Sequence, residues 1–388
     1  MRKSTGINLL VAATAAAALL AAPAFGAGEP EFIATGVTCG PAFFPTFCAV
    51  DISGDGQTIL MRDGLWTEAG GLQPIGGPPE GFRVTALSDD GSTVVGNVGI
   101  VNELGPHEEA AIWLGGSDWM PLGGLPGTSP CGFSYTSAYD VDAHGDQVVG
   151  LAWVGKSCAG GAHGFVWDAV NGMQDLGSIV PDRSSRANVI SADGAVIAGW
   201  SDAPFGTRLG AVWDDQGLRW FAEPDSGILV GEATGISSDG RFIVGGNYGE
   251  DGTFTIFEPW LWSEQTGVIH LGTAKGLRGN IIDGQHFARD VSDDGTVVVG
   301  QDTLFQLSEQ WAWIWTASEG MAILQDYVRD RNPALESVLC KGERSTQIEP
   351  CSGWDLWNIA GVSNDGKVIT GTGRNPDGLW EAFIVKLP

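Results

Sequence analysis

Aspartate and glycine recur together along this sequence, and three stretches resemble the first half of a calcium-binding loop. Each has acidic or hydroxyl residues at alternate positions before a glycine, except that the second has His144 at the last of these positions, and the stretches begin at Asp51, Asp140 and Asp290. A complete loop of this kind needs a bidentate glutamate at its twelfth position. The residues found there are Arg62, Leu151 and Gln301. Because Asp-Gly between two apolar runs also marks a tight hairpin, we interpret the Asp-Gly pairs as turns and predict no metal site.

Residue types that serve in catalysis are present, but they form no recognisable catalytic motif. No Gly-x-Ser-x-Gly elbow, P-loop or His-Glu-x-x-His sequence occurs. Carboxylates are so numerous that no acid/base pair stands out. The histidines are scattered over different parts of the chain: His107, His144, His163, His270 and His286. The sequence therefore predicts no cofactor and favours a protein that is not an enzyme.

The Asp-Gly turns belong to a repeat that occurs seven times. An aliphatic residue and the turn are followed by an apolar run, at 51–61, 87–97, 141–151, 190–200, 236–246, 291–301 and 362–372. A second apolar phrase follows each copy and ends in tryptophan in the first six: Trp66, Trp113, Trp167, Trp213, Trp262 and Trp315. A further short apolar run follows these six phrases. Each repeat therefore predicts four strands, here a, b, c and d, with the Asp-Gly turn between a and b.

Four-stranded repeats of about 40–50 residues are typical of β-propeller blades. The seventh repeat lacks its own strand d, whereas an unassigned apolar stretch at 31–37 precedes the first strand a. We expect that stretch to pair with residues 382–387, because closing the ring removes exposed sheet edges. The sequence thus predicts an all-β fold over residues 27–388: a seven-bladed β-propeller of four-stranded antiparallel blades, closed by pairing of the N- and C-terminal strands.

The six cysteines fall into three pairs that are local in sequence: Cys39/Cys48, Cys131/Cys158 and Cys340/Cys351. In an exported chain such pairs are expected to be disulfides. The second pair is equidistant from the turn at Gly145, so an antiparallel hairpin brings its two cysteines together. The third pair staples an insertion at 325–358, in which we predict a short helix at 332–341.

The N terminus reads as a secretory signal peptide over residues 1–26. Arg2 and Lys3 precede an apolar run at 8–22, and small residues that suit cleavage follow it. We therefore expect a secreted or periplasmic protein that is free of the membrane once the signal is removed. The chain has 20 basic and 47 acidic side chains, a net charge of -27. Such a surface repels nucleic acids and anionic lipids, and we expect a monomer.

The tryptophans of strand c are expected to pack between adjacent blades. The long b–c and d–a connections lie together on one face, where long loops on a rigid scaffold concentrate function. We place a binding site there, near the central channel, and expect Trp153 and Trp200 to follow strand b, where stacking on sugar rings is one role open to them beside that of ordinary loop residues. The candidate residues are His107, Glu108, Glu109, Trp153, Trp200, Tyr248, Asp251, Phe254, His286, Asp302 and Arg374.

The repeat resembles the bacterial extracellular HAF repeat. The third copy is most similar, with Ala162-His163-Gly164-Phe165-Val166-Trp167 followed by Met173-Gln174-Asp175-Leu176-Gly177. It differs from the family pattern in having glycine at 164, and the other copies lack the histidine. The closing segment 353–388 is also similar to the end of these proteins. The resemblance covers about residues 47–388 and implies an exported β-propeller-like domain without a settled activity.

Two functions fit these observations. The first is an exported, non-catalytic binding or interaction propeller that presents long acidic and aromatic loops to a glycan or protein partner. The alternative is a hydrolase or lyase that acts on an extracellular polysaccharide or other polymer through carboxylates at the channel mouth. Carboxylates with strongly shifted pKa values in a deep central pocket would favour the enzyme. A wide face rimmed by aromatic residues would favour binding.

Overall fold

A computed structural model describes residues 28–39, 47–76, 83–155, 161–224, 227–246, 258–272, 284–304, 309–341 and 352–388. The predicted signal peptide lies outside these residues. The described strands form seven four-stranded antiparallel sheets, which confirms the predicted propeller. Within the described part of the chain, no helix has the length and apolar character needed to cross a membrane.

The strands follow the order a, b, c, d in each of the first six blades. Blades 1 to 3 comprise β2 (Ala49–Ile52), β3 (Ile59–Met61), β4 (Gly64–Thr67), β5 (Gly71–Pro74); β6 (Arg83–Leu87), β7 (Val94–Asn102), β8 (Gly105–Gly115), β9 (Asp118–Pro121); and β10 (Thr136–Val141), β11 (Gln147–Trp153), β12 (Ala162–Asp168), β13 (Gly172–Gly177). Blades 4 to 6 comprise β14 (Ser185–Ile190), β15 (Ile197–Asp202), β16 (Arg208–Trp213), β17 (Arg219–Trp220); β18 (Ala233–Ile236), β19 (Phe242–Gly246), β20 (Pro259–Ser263), β21 (Gly267–His270); and β22 (Gly284–Val291), β23 (Val297–Leu304), β24 (Glu309–Thr316), β25 (Gly320–Ile323).

Blade 7 is built from both ends of the described chain. It contains β26 (Asp355–Val362), β27 (Val368–Arg374) and β28 (Trp380–Lys386), and β1 (Glu31–Thr38) supplies its outer strand. The pairing of β1 with β28 is antiparallel and sets Ile33 opposite Ile384. The predicted closure by the terminal strands is therefore confirmed.

Disulfide bonds occur beside the closure of the ring and in two other parts of the chain. Cys39 is bonded to Cys48 across 5.6 Å between their Cα atoms, so the end of β1 is tied to the start of blade 1, as predicted. Cys131 and Cys340 are also disulfide-bonded. Their predicted partners, Cys158 and Cys351, lie outside the described residues.

The Asp-Gly turns are held by their own side chains. In blade 1 the Ser53 hydroxyl donates to Asp55 Oδ1 at 2.7 Å, and the amide of Gln57 donates to the same oxygen at 2.9 Å. Gly56 takes a φ of 71°, which glycine adopts without a steric cost. In blade 3 Asp142 replaces the serine and accepts two turn amides. These aspartates build turns, as the sequence predicts.

A β-bulge occurs at the same point of strand a in all seven blades. The bulge leaves one residue of each strand without a partner on strand b. We call these residues the bulge ring: Val50, Thr85, Tyr139, Asn188, Thr234, Arg289 and Ala360. Strand b carries glycine beside the bulge in six blades, because a Cβ there would collide with a carbonyl of strand a. Gly150 faces the Ser137 carbonyl in this way, and Gly371 faces that of Asn358.

The core lies between neighbouring blades, and the tryptophans of strand c contribute to it as predicted. Trp66 of blade 1 is 7 % exposed and packs in one cluster with Ile384 of blade 7. Trp213 of blade 4 packs with Val166 of blade 3, and its indole N–H donates to the Leu176 carbonyl at 3.0 Å. The tryptophans therefore join blades to one another.

The short helix predicted at 332–341 is found in part, as a 3-10 helix, and an α-helix that was not predicted precedes it. The α-helix α1 occupies Leu324–Arg331, directly after β25, and a short 3-10 helix follows at Pro333–Ser337. Pro333 disfavours a helical conformation at Asn332, so α1 ends there. Tyr327 and Val328 of α1 are buried against the core beside blade 7, which the sequence pattern of the insertion did not reveal.

Candidate functional site

The seven a strands surround a central cavity of about 610 Å³. The Asp-Gly turns meet at one end of it, where each turn is bonded to its two neighbours. In blade 2 the Asp89 carbonyl and the Asp90 amide make these bonds, and in the other blades one residue makes both. We call Gly54, Asp89, Ala143, Ala192, Ser238, Asp293 and Asn364 the turn belt. Six of the seven junctions between turns are bonds between backbone amides and carbonyls, such as Gly54 to Asp89 at 2.9 Å and Asn364 to Gly54 at 2.8 Å. At the seventh, the Ser238 amide and hydroxyl donate to the Asp293 carboxylate at 2.8 Å.

The opposite end of the cavity lies where strand a begins and strand b ends in each blade, away from the Asp-Gly turns. Phe47, Arg62, Arg83 and Asn97 line it there. This is the face that carries the b–c and d–a connections. The cavity therefore extends from a ring of bonded turns at one end to the loop-bearing face at the other.

Three aspartates in the pocket wall join one blade to the next. Asp51, Asp140 and Asp290 each follow the bulge residue and each accept two backbone amides at 2.8 Å, one from their own strand and one from strand a of the following blade. We call them the bridging aspartates. The other four blades have alanine, valine or glycine at this position: Ala86, Val189, Gly235 and Gly361.

Burial dominates the electrostatics of the bridging aspartates. Loss of hydration raises the pKa of Asp51 to about 7 and that of Asp290 to about 8, although the two amides on each carboxylate act in the opposite direction. The pKa of Asp140 is raised by the same cause and by the charge of Asp51. Near neutral pH Asp51 and Asp290 therefore hold protons for much of the time, and the pocket is less negative than its composition suggests.

A second group of polar side chains lies on the wall formed by blades 3 to 5. Arg186 donates to Asn188 Oδ1 at 2.5 Å and to Glu232. The amide of Asn188 donates to Glu232 Oε1 at 2.8 Å. The Arg186 guanidinium also lies 4.6 Å above the ring of Tyr139. This network holds the Tyr139 ring and the ion pair between Arg186 and Glu232 at the side of the pocket.

Arg289 differs from the other pocket arginines. It belongs to the bulge ring and its side chain is accessible within the cavity. It forms no hydrogen bond or ion pair with any residue that the structure describes, whereas Arg186 is paired with Glu232 and Arg83 lies 3.6 Å from Glu108. Because protein surrounds the cavity, loss of hydration lowers the pKa of Arg289.

The predicted site residues that the structure describes lie outside this pocket. His107 and Glu109 are buried in β8, where His107 Nε2 lies 2.7 Å from Glu109 Oε1. Sequence analysis placed them in a loop, but β7 and β8 extend as a long hairpin that includes them. Glu108, also in β8, approaches the pocket through its ion pair with Arg83.

The predicted tryptophans also belong to strands. Trp153 is the last residue of β11, and its indole N–H donates to Ser134 Oγ at 3.4 Å. Trp200 lies within β15 and is 4 % exposed, so the expectation that it follows strand b is wrong. The guanidinium of Arg208 lies 4.5 Å from its ring centre. A buried ring covered by arginines has no free face for a sugar.

The remaining candidates are dispersed. Arg374 is exposed at the end of β27, and Asp302 is buried in β23. Tyr248, Asp251 and Phe254 lie outside the described residues, as does the side chain of His286. The structure does not bring the described candidates together around one point.

Sequence reasoning missed the pocket residues because it looked for a site in long loops. A signal was nevertheless present. When the seven repeats are aligned on their Asp-Gly turns, the position before each bridging position carries Val50, Thr85, Tyr139, Asn188, Thr234, Arg289 or Ala360. Strand a is the innermost strand of a blade, so tyrosine, asparagine and arginine at that position point to a polar central pocket.

Seven four-stranded blades around a central pocket define the chain as a seven-bladed β-propeller. No protein-family model matches the sequence, and no curated protein matches it. Membership of the HAF-repeat family therefore stays a prediction.

Solved structures match the chain in fold. The GH74 xyloglucanase from Xanthomonas campestris is 10 % identical with a TM-score of 0.51, and the match covers 91 % of this chain and 55 % of that one. TolB from Acinetobacter baumannii is 12 % identical with a TM-score of 0.43, over 77 % of this chain and 64 % of that one. A putative TolB from Agrobacterium tumefaciens is 15 % identical with a TM-score of 0.39, over 59 % and 82 %. Identities this low show the propeller fold alone.

Proposed function

We propose that this chain is an exported, non-catalytic binding propeller that takes a glycan into its central pocket. The observation that carries the proposal is the pocket itself. Its volume of about 610 Å³ lies within the range of about 300–1,000 Å³ that small-molecule sites occupy. It would admit the end of an oligosaccharide but not a folded protein. The disulfide between Cys39 and Cys48 suits an exported protein, because disulfides persist in oxidising compartments.

The pocket offers the groups that bind sugars. Tyr139 presents an aromatic ring, and aromatic faces pack well against apolar surfaces. Thr85 and Thr234 contribute hydroxyl-bearing side chains to the pocket wall, and Arg289 presents donors that are free of described partners. Glu232 and Asn188 also line the wall, but their polar atoms are bonded to one another and to Arg186. A polyhydroxylated ligand can use both donors and acceptors.

The bridging aspartates favour binding over catalysis. Each has both carboxylate oxygens bonded to backbone amides. A general acid must transfer its proton to the substrate, and a nucleophile must present an oxygen to the substrate. Carboxylates that hold two blades together are constrained against both movements.

Binding is tested with the mature chain on an array of defined bacterial and plant oligosaccharides, followed by thermal melting with each hit. Ala360 belongs to the bulge ring and lines the pocket, so Ala360→Trp should place an indole in the path of the ligand and abolish binding. Val170→Trp is the matched control, because Val170 is 91 % exposed in a c–d turn away from the pocket. The absence of any hit on a cooperatively folded chain would contradict the proposal, as would binding that survives Ala360→Trp.

One observation favours the hydrolase or lyase instead. The pKa values of Asp51 and Asp290 are raised by burial within a deep pocket, and perturbed carboxyls of this kind cluster at active sites. The test is an assay for new reducing ends or unsaturated products on a panel of polysaccharides. Product that forms with the native chain and not with Asp290→Asn would establish the enzyme and displace the binding function.

A further inference from the structure

Arg289 is a charged donor that the protein leaves without a fixed acceptor. It lies at the bulge of β22 and faces the central pocket. Among the described residues, none accepts a hydrogen bond from its guanidinium or forms an ion pair with it. A guanidinium has five N–H donors in a planar fork that matches a carboxylate. An enclosed guanidinium without a partner is therefore prepared to receive an acceptor from a ligand.

The carboxylates whose charges act most strongly on Arg289 already accept hydrogen bonds from other groups. The charges of Glu232, Asp51 and Asp290 all act on Arg289. Glu232 accepts from Arg186 and Asn188, and each aspartate accepts two backbone amides. The fold thus keeps the acceptors of the pocket wall turned to other donors and leaves the donors of Arg289 available.

The net charge of the pocket permits an anion there. Burial raises the pKa values of Asp51, Asp140 and Asp290, and Asp51 and Asp290 carry less than full negative charge near pH 7. Arg186 offsets Glu232. The chain as a whole is strongly acidic, but charges separated by more than about 8 Å are largely screened at physiological ionic strength. A single carboxylate in the pocket is therefore compatible with a surface that repels long polyanions.

We propose that Arg289 receives the carboxylate of an acidic sugar, so that the ligand of the pocket is the uronate-bearing end of an oligosaccharide. The proposal rests on the proposed glycan-binding function and narrows its ligand class. The guanidinium grips the planar carboxylate through two parallel N–H donors. Tyr139 and the two threonines of the bulge ring, Thr85 and Thr234, contact the ring and its hydroxyls.

The test compares each acidic ligand with a neutral one of the same shape. Trisaccharides ending in glucuronate or galacturonate are titrated calorimetrically into the mature chain beside their methyl esters, at pH 6.5. We expect at least one acid to bind ten-fold or more tightly than its ester. In Arg289→Gln the two forms should bind equally, and Arg289→Lys should keep part of the preference. Arg208→Gln, which removes a guanidinium stacked on Trp200 away from the pocket, should keep all of it.

The outcomes separate this inference from the function on which it rests. Equal binding of acid and ester by the native chain would overturn the role of Arg289, as would an acid preference that survives Arg289→Gln. If neutral oligosaccharides bind and Ala360→Trp abolishes their binding, the glycan-binding function stands while the acidic ligand class fails. If no sugar binds to a chain that melts cooperatively, both proposals fail.

Discussion

The turn belt and the bulge ring encircle the same pocket, yet they are built in opposite ways. The turn belt is held mainly by backbone bonds, so residues as different as Gly54, Ala143 and Asn364 serve equally in it. The bulge ring repeats one backbone geometry seven times but varies its side chains from Ala360 to Arg289. The repeated backbone features of this chain therefore build the scaffold, whereas the side chains that vary at an equivalent position give the pocket its chemistry.

The largest expected effect comes from opening the ring. Removal of residues 28–39 deletes β1, which leaves β28 as an exposed edge and removes the packing of Phe32 and Ile33. Each partly buried apolar side chain contributes about 1–2 kcal/mol, so we expect the free energy of unfolding to fall by about 4 kcal/mol in urea melts. The control, Cys39→Ser with Cys48→Ser, keeps β1 and should lose about 2 kcal/mol. Equal losses in the two variants would show that the strand itself adds nothing.

The next effect concerns the bridging aspartates. Asp140→Ala removes the acceptor of two buried amides, one of them in blade 4, and an unsatisfied buried donor costs about 1–3 kcal/mol. We expect a loss of about 2 kcal/mol in unfolding by urea. Ala86→Gly, at the equivalent position of a blade without the bridge, is the control and should cost about 1 kcal/mol or less. A loss for Asp140→Ala as small as that of the control would refute the bridging role.

The pH dependence of stability follows from the same carboxyls. Asp51 and Asp290 titrate near 7 and 8 when folded, far above the ordinary aspartate value of about 3.9 in an unfolded chain. Between those values the folded state binds more protons than the unfolded state, so stability falls as pH rises from about 4 to about 8 and then levels off. The charged groups that face them across the pocket are Asp89, Asp140, Glu232, Arg186 and Arg289.

Unfolding curves at intervals from pH 5 to pH 9 check this dependence. The double variant Asp51→Asn with Asp290→Asn should flatten the slope between pH 6 and pH 8, because it removes the titrating groups while it keeps one acceptor at each site. Turn aspartates such as Asp193 have lowered pKa values because turn amides and hydroxyls stabilise the charged form. Their contribution is lost only as pH falls below about 4, outside this window. A slope that is unchanged in the double variant would assign it to other groups.

Much of the fold was predictable from the sequence, because blades are local structures. The Asp-Gly turns, the strands on either side of them and the tryptophans of strand c are all encoded within short segments. The closing strand was predictable by counting, since one strand was missing at the C terminus and one was unassigned near the N terminus. Because the same turn and strand pattern occurs seven times, it can be recognised in a single sequence.

The site was less predictable because it depends on register and strand length. Nothing local shows that a bulge turns Arg289 towards the pocket, or that β15 continues past Trp200 to Asp202. Likewise, nothing local shows that β7 and β8 form a long hairpin, which buries His107 beside Glu109. The chemistry of the pocket becomes visible only when the seven repeats are aligned and the innermost strand is identified.

The most direct test uses two adjacent residues, Arg289 and Asp290, which lie side by side in β22 but belong to the two different sets. The measurement is the free energy of unfolding of Arg289→Gln and Asp290→Ala, each beside the native chain at pH 6.5. We expect a loss of about 2 kcal/mol for Asp290→Ala and a change within about 0.5 kcal/mol for Arg289→Gln. Arg289→Gln should also lose the preference for acidic sugars. A comparable loss of stability in both variants would contradict this expectation, because Arg289 would then be a structural counter-ion of the carboxylates and not a group reserved for a ligand.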